Sequence, residues 1–91
     1  MWQKFSLGKT VATPGALEAL EKNKQTYQEF LRRHVLGDWG DLEPEDKVEN
    51  ELSLLEGFRI LSAYHLKDGT KIYIITEHDR SYTTVMRADE Y

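Results

Sequence analysis

The sequence contains no cysteine, so a disulfide framework and thiolate metal ligation are both excluded. No apolar run approaches the roughly 20 residues needed to span a bilayer as a helix, and Met1-Trp2-Gln3-Lys4 is not followed by the apolar core of a secretory signal. These absences lead to the expectation of a cytoplasmic protein without a membrane partner. There is no Gly-rich phosphate loop, no nucleophile elbow and no HExxH. The three histidines, His34, His65 and His78, have neither helical i, i+4 spacing nor a carboxylate arranged for metal ligation. Neither a metal nor a cofactor is expected. Positive charge is outweighed rather than clustered: 12 Lys and Arg stand against 16 Asp and Glu, the formal net charge is −4, and the nearest basic cluster is the short Arg32-Arg33-His34. Broad binding to a phosphate backbone needs clustered Lys and Arg, so nucleic acid is disfavoured as a partner.

What remains is a chain of 91 residues, enough for one domain, 1–91, around one small core. Hydrophobic residues make up 40% and charged residues 31%, a globular rather than a disordered composition. Lys9 to Thr13 is short and β-branched, as an edge strand would be. Thr13-Pro14 then opens a helix, with Thr13 as cap and Pro14 at the first helical position. Ala16, Leu17, Ala19 and Leu20 give that helix its apolar stripe, and Asn23 stops it. A second helix starts at Thr26, carries Tyr27, Phe30, Leu31, His34 and Val35 at core-facing spacing, and ends at Gly37. A third runs from Pro44 to Glu56-Gly57. Its acids favour the helix dipole, and Val48, Leu52 and Leu55 are expected to be its buried stripe.

The stretch 59–87 reads as three strands. Asp68-Gly69 signals a two-residue hairpin turn, which sets Ala63 opposite Ile74, Tyr64 opposite Tyr73 and His65 opposite Ile72. The next turn pairs Glu77 with Tyr82, whether its loop has two residues (Asp79-Arg80) or four (His78 to Ser81). The expected fold is therefore α+β: two or three short helices packed on a C-terminal three-stranded antiparallel meander, with an added N-terminal edge strand. Alternation assigns Leu61, Ala63, His65, Ile72, Ile74, Thr76, Thr83 and Val85 to the core face. The other face collects Ile60, Ser62, Tyr64, Tyr73, Ile75, Glu77, Tyr82, Thr84 and Met86.

That tyrosine-rich face is the candidate binding surface, because tyrosine offers a rigid contact area with a polar tip. Tyr64, Tyr73, Glu77, Tyr82, the Asp79-Arg80 turn and Trp39, in its Gly37-Asp38-Trp39-Gly40 loop, are the candidate contacts. The competing readings are a cross-strand aromatic pair that only stabilises the sheet, or an N-terminal strand with Trp2 folded over this face. Trp39 in turn either plugs the end of the helical layer or stands exposed as a hot spot. Catalytic chemistry has one candidate group, Glu77, His78 and Arg80. A carboxylate or imidazole there would move protons while a guanidinium steadied a phosphorane, as in a metal-free nuclease or RelE-like toxin. The acidic chain lacks the basic groove such enzymes use. A non-enzymatic protein-interaction module is the preferred function. The nuclease is the alternative, and a structural subunit that forms a homodimer through an open sheet edge is a third.

The segments Val11-Ala12-Thr13-Pro14-Gly15-Ala16-Leu17-Glu18-Ala19-Leu20, Gly37-Asp38-Trp39-Gly40 and Ile75-Thr76-Glu77-His78-Asp79-Arg80-Ser81 resemble a family of small bacterial proteins borne on plasmids and integrated mobile elements. The resemblance runs through nearly the whole chain, to Asp89-Glu90-Tyr91. Members are labelled "plasmid-related" or small subunits of type I restriction systems, and the second label finds no cofactor-binding or methyltransferase motif here. The resemblance implies a bacterial cytosolic accessory protein, a modulator of a mobile-element or defence system, with no catalytic residues to carry over.

Overall fold

The computed structural model describes residues 2–91. It is an α+β fold: β1 (Lys9–Ala12), α1 (Pro14–Lys22), α2 (Tyr27–Val35), α3 (Pro44–Glu56), β2 (Ile60–His65), β3 (Lys71–Thr76) and β4 (Tyr82–Arg87), then a 3-10 turn over Ala88–Glu90. The sheet order is β1-β4-β3-β2. The C-terminal meander is antiparallel as expected, and β1 joins it at the edge, parallel to β4. The strand Lys9–Ala12 therefore does not fold over the far face of the sheet, and Trp2 is exposed; Phe5 and Leu7, before it, pack on the helix side against His34 and the core.

The first helices form for the reasons legible in their sequence. Thr13 Oγ1 accepts from the Ala16 N–H at 3.1 Å, and Asn23 Nδ2 donates to the Ala19 carbonyl at the other end of α1. In α2, Glu29 Oε1 accepts from the Thr26 N–H. Ala16 and Leu20 of α1, and Phe30, Leu31, His34 and Val35 of α2, are buried against the sheet; Leu17, expected in the α1 stripe, faces out.

The first hairpin departs from expectation by one residue. Asp68-Gly69 does not form a two-residue corner. The Gly69 N–H donates to the Leu66 carbonyl and the Leu66 N–H to the Thr70 carbonyl, so the loop is Lys67-Asp68-Gly69, with Gly69 at φ +90°. This is the three-residue hairpin in which a left-handed glycine follows a tight turn. Ala63 consequently faces Tyr73, Tyr64 faces Ile72 and His65 faces Lys71. Because side chains alternate, the slip turns β2 over. Ile60, Ser62 and Tyr64 join Ile72, Ile74, Thr76, Thr83 and Val85 against the helices, whereas Ala63 lies on the far face and His65 is exposed. The second hairpin keeps the expected register, with the Glu77 N–H donating to the Tyr82 carbonyl.

The third helix reverses its expected orientation. Its buried residues are Asn50 and Ser53, not Val48, Leu52 and Leu55. Asn50 acts as a piece of strand: Nδ2 donates to the Leu61 carbonyl at 2.6 Å and Oδ1 accepts from the Leu61 N–H at 3.1 Å. Two residues along β2, Ala63 donates to the Trp39 carbonyl and accepts from the Asp41 N–H. The outer edge of β2 is thus satisfied at both residues, as a buried backbone requires. Asn50→Ala should cost about 2–3 kcal/mol, because it strands both Leu61 groups. Urea unfolding checks this, and a loss under about 0.5 kcal/mol would mean that water takes over the amide's role.

Candidate functional site

The expected tyrosine face does not assemble. Tyr64 is completely buried, with its hydroxyl donating to the Asp38 carbonyl at 2.6 Å. The Arg33 guanidinium lies 4.6 Å from the centre of its ring, and burial pushes the phenol pKa up. Arg33 Nε also donates to Asp38 Oδ2 at 2.7 Å, which holds the Asp38 carboxyl below its usual range. Tyr73 is on the far face, half-buried edge-on against Tyr91 at 5.6 Å. Tyr82 is exposed, but Tyr73 pairs with Met86, four residues along the same strand, so about 13 Å of β4 separates the two phenols.

Trp39 is a plug. It is 4% exposed, stacks on Phe5 at 6.2 Å and donates its indole N–H to Glu51 Oε2 at 2.8 Å. The Glu77-to-Arg80 group is equally committed. Arg80 takes a left-handed backbone (φ 60°), and its guanidinium donates to the carbonyls of Phe58, Glu77, His78 and Ser53. It therefore binds the β3–β4 turn to the C-terminal end of α3, where a cation suits the helix dipole. Asp79 Oδ1 accepts from the Ser81 N–H, which lowers its pKa; this is the ordinary local role of an aspartate in a turn. Glu77 is half-buried at the end of β3 and His78 is exposed at the turn. The guanidinium that phosphate chemistry would need is already bound to backbone.

A polar chain that the sequence did not reveal runs through the core. Thr83 Oγ1 donates to the Leu7 carbonyl, an acceptor only, so Thr76 Oγ1 must donate to Thr83 Oγ1. Thr76 then accepts from His34 Nε2 at 2.9 Å, which leaves Nδ1 to accept from Ser62 Oγ at 2.5 Å. The network thereby fixes a neutral Nε2–H tautomer. Burial, reinforced by the charge of Arg80, pushes the His34 pKa down to about 3. Ser62 and His34 resemble a nucleophile and its base, but both are completely buried and no carboxylate orients the imidazole. The chain serves the core and not catalysis.

Among the described residues, the clefts mix charges of both signs or carry a single charge. One is lined by Lys22, Lys71 and Arg87 together with Glu18, Asp68 and Asp89, and Arg87 is paired with Asp89. Among the described residues no group of three or more His, Cys, Asp or Glu could hold a metal ion, and no helix is long and apolar enough to cross a membrane.

One surface feature left without an internal role is the outer side of α3. Val48 is 68% exposed, Leu52 44% and Leu55 85%, with Phe58 at 55% just beyond the helix. At 100° per residue the first three lie in one row, opposite Asn50 and Ser53. Scattered exposed apolar residues are ordinary, whereas these three share one side of one helix. Compared with known proteins, the chain matches no family model, no curated protein and no solved structure.

Proposed function

We propose that this protein is a small non-enzymatic interaction module that docks another protein along the outer ridge of α3. The observation carrying this reading is the row Val48, Leu52 and Leu55, held in solvent while the opposite side of the helix is tied to β2 through Asn50. A helix that needed only to complete the core would bury this row, as α2 does. The groups suited to chemistry point the same way: Arg80 is bound to carbonyls, and His34 is sealed in the core. The resemblance to plasmid-borne proteins supplies the setting of this proposal, an accessory that modulates a mobile-element or defence system, and that setting rests on the resemblance alone.

The test is a Leu52→Ser, Leu55→Ser double variant, which removes apolar surface without changing charge. Its folding free energy should shift little, since both residues are already wet in the folded state. Proteins captured from a bacterial lysate by the wild type should be lost, with affinity for the main one falling about tenfold or more. An unchanged captured set would place the contact surface elsewhere.

A further inference from the structure

Three features of the molecule could in principle meet a ligand or a partner. The buried Ser62–His34–Thr76–Thr83 chain touches no solvent, and the cleft of Lys22, Lys71 and Arg87 is balanced by its own carboxylates. The ridge of α3 carries more, because its pattern specifies what would cover it.

Val48, Leu52 and Leu55 are spaced four and then three apart, the alternation of apolar seam positions in a two-helix coiled coil. In that frame Glu49 and Glu56 border the seam on one side and Glu51, whose carboxylate also accepts from the Trp39 indole, on the other. Asn50 and Ser53, which such a frame would leave outward, are the residues bound to the rest of the molecule. The helix is thus mounted with its seam outward.

Charge then selects the occupant. Helix α3 bears five carboxylates and one lysine, which amounts to the whole formal charge of −4; the rest of the chain carries eleven acids against eleven Lys and Arg. Among the described residues the ion pairs within 4.0 Å are Arg33–Asp38, His65–Asp41 and Arg87–Asp89, so none engages α3. A second copy would set Glu49 and Glu56 against the same glutamates, and like charges at these positions disfavour pairing. An anionic lipid surface or a nucleic acid is repelled for the same reason.

Resting on the interaction reading, we propose that the partner presents an amphipathic helix with an apolar seam and Lys or Arg on its borders, which packs lengthwise on Val48, Leu52 and Leu55. From Val48 to Leu55 the ridge rises about 10 Å along the axis, so two to three turns of a partner helix suffice. The seam supplies the contact area, and the glutamates choose the partner and raise its rate of encounter.

The probe is a synthetic helical peptide of about three heptads with Leu and Ile on the seam and Lys on its borders. Two controls accompany it: the same peptide with Glu borders, and the Lys peptide with its seam changed to Ser. The expected result is binding of the first peptide alone, with backbone amide shifts confined to Glu45 through Phe58. Glu49→Gln, Glu56→Gln should weaken it about fivefold at low salt, and that difference should vanish near 1 M salt, where the screening length is about 3 Å. Equal binding of the Glu-bordered peptide overturns the charge selection, as do shifts outside α3. Failure of every peptide overturns the helical partner. In either case the interaction reading survives if Leu52→Ser, Leu55→Ser still releases the captured protein. A dimer mapped to α3 by the same shifts overturns the inference in favour of a second copy.

Discussion

Acidification from about pH 6.5 to about pH 4.5 is expected to remove roughly 2–3 kcal/mol of folding free energy, with His34 responsible. In the folded protein its pKa is pushed down to about 3, from an ordinary 6.5, chiefly by burial. Between those two values the unfolded chain binds a proton that the native one refuses, so stability falls as pH falls. The contribution is complete above about pH 6.5, and the slope is about 1.4 kcal/mol per pH unit. The structural reason is the directed chain of hydrogen bonds. Protonating Nδ1 would turn an acceptor into a donor facing Ser62 Oγ, which already donates to it. The carboxyls of Asp38, Asp41, Asp68, Asp79 and Asp89 lie below their ordinary value of 3.8, so their losses come mainly at lower pH. Urea midpoints across the window provide the measurement. His34→Gln, which cannot charge, should start about 2 kcal/mol or more less stable and show a flattened slope. Equal slopes in the two proteins would remove His34 from the account.

His34 also shows what the sequence can and cannot convey. Its place in the α2 stripe follows from spacing with Phe30, Leu31 and Val35, and the structure buries all four. Its partners do not follow, because Ser62 reaches the core only through the register of β2. That register hangs on Asp68-Gly69, which fits two hairpins: a two-residue corner, or a tight turn with the glycine after it. The local sequence favours the first. The core decides, since the second arrangement buries Tyr64 and Ile60 and releases His65 to water, where its Nδ1 meets Asp41 Oδ2 at 2.8 Å. Glu77 and Tyr82 pair as expected because both candidate loops share one register. Of the two places open to Trp39, the structure adopts the plug, because an aromatic between two glycines can fold inward beside Phe5.

The orientation of α3 is harder to read. An apolar row on a helix is ordinarily its buried side, and nothing in Val48, Leu52 and Leu55 says otherwise. The contrary signal is on the opposite side, where Asn50 and Ser53 also share a helical row and carry no charge. A short uncharged amide suits an approach to backbone, but the exposed edge of β2 that it satisfies exists only in three dimensions. Sequence periodicity shows that a helix has two unlike sides; the neighbouring element settles which of them is covered.

The same edge makes Gly40 a sensitive backbone position, and Gly40→Ala is expected to cost about 3 kcal/mol or more. Two terms add. Gly40 has φ +75°, a left-handed conformation that costs any other residue about 1 kcal/mol. A methyl group there would also overlap the Ala63 carbonyl oxygen and come within 2.6 Å of Tyr64 Cδ1. Neither neighbour can retreat: that carbonyl accepts from the Asp41 N–H, and the buried Tyr64 ring is pinned through its hydroxyl to Asp38. The Ala63 N–H is held by the Trp39 carbonyl, so displacing Gly40 loosens the plug and both bonds along β2 together. Gly57→Ala is the internal reference, with φ +77° but nothing within 4 Å of the added carbon, so only the strain of about 1 kcal/mol applies. The freed edge should also bring concentration-dependent self-association in Gly40→Ala, visible by light scattering and missing in Gly57→Ala. Equal losses of stability in the two variants would show that the Trp39-to-Asp41 segment rests beside β2 without bracing it.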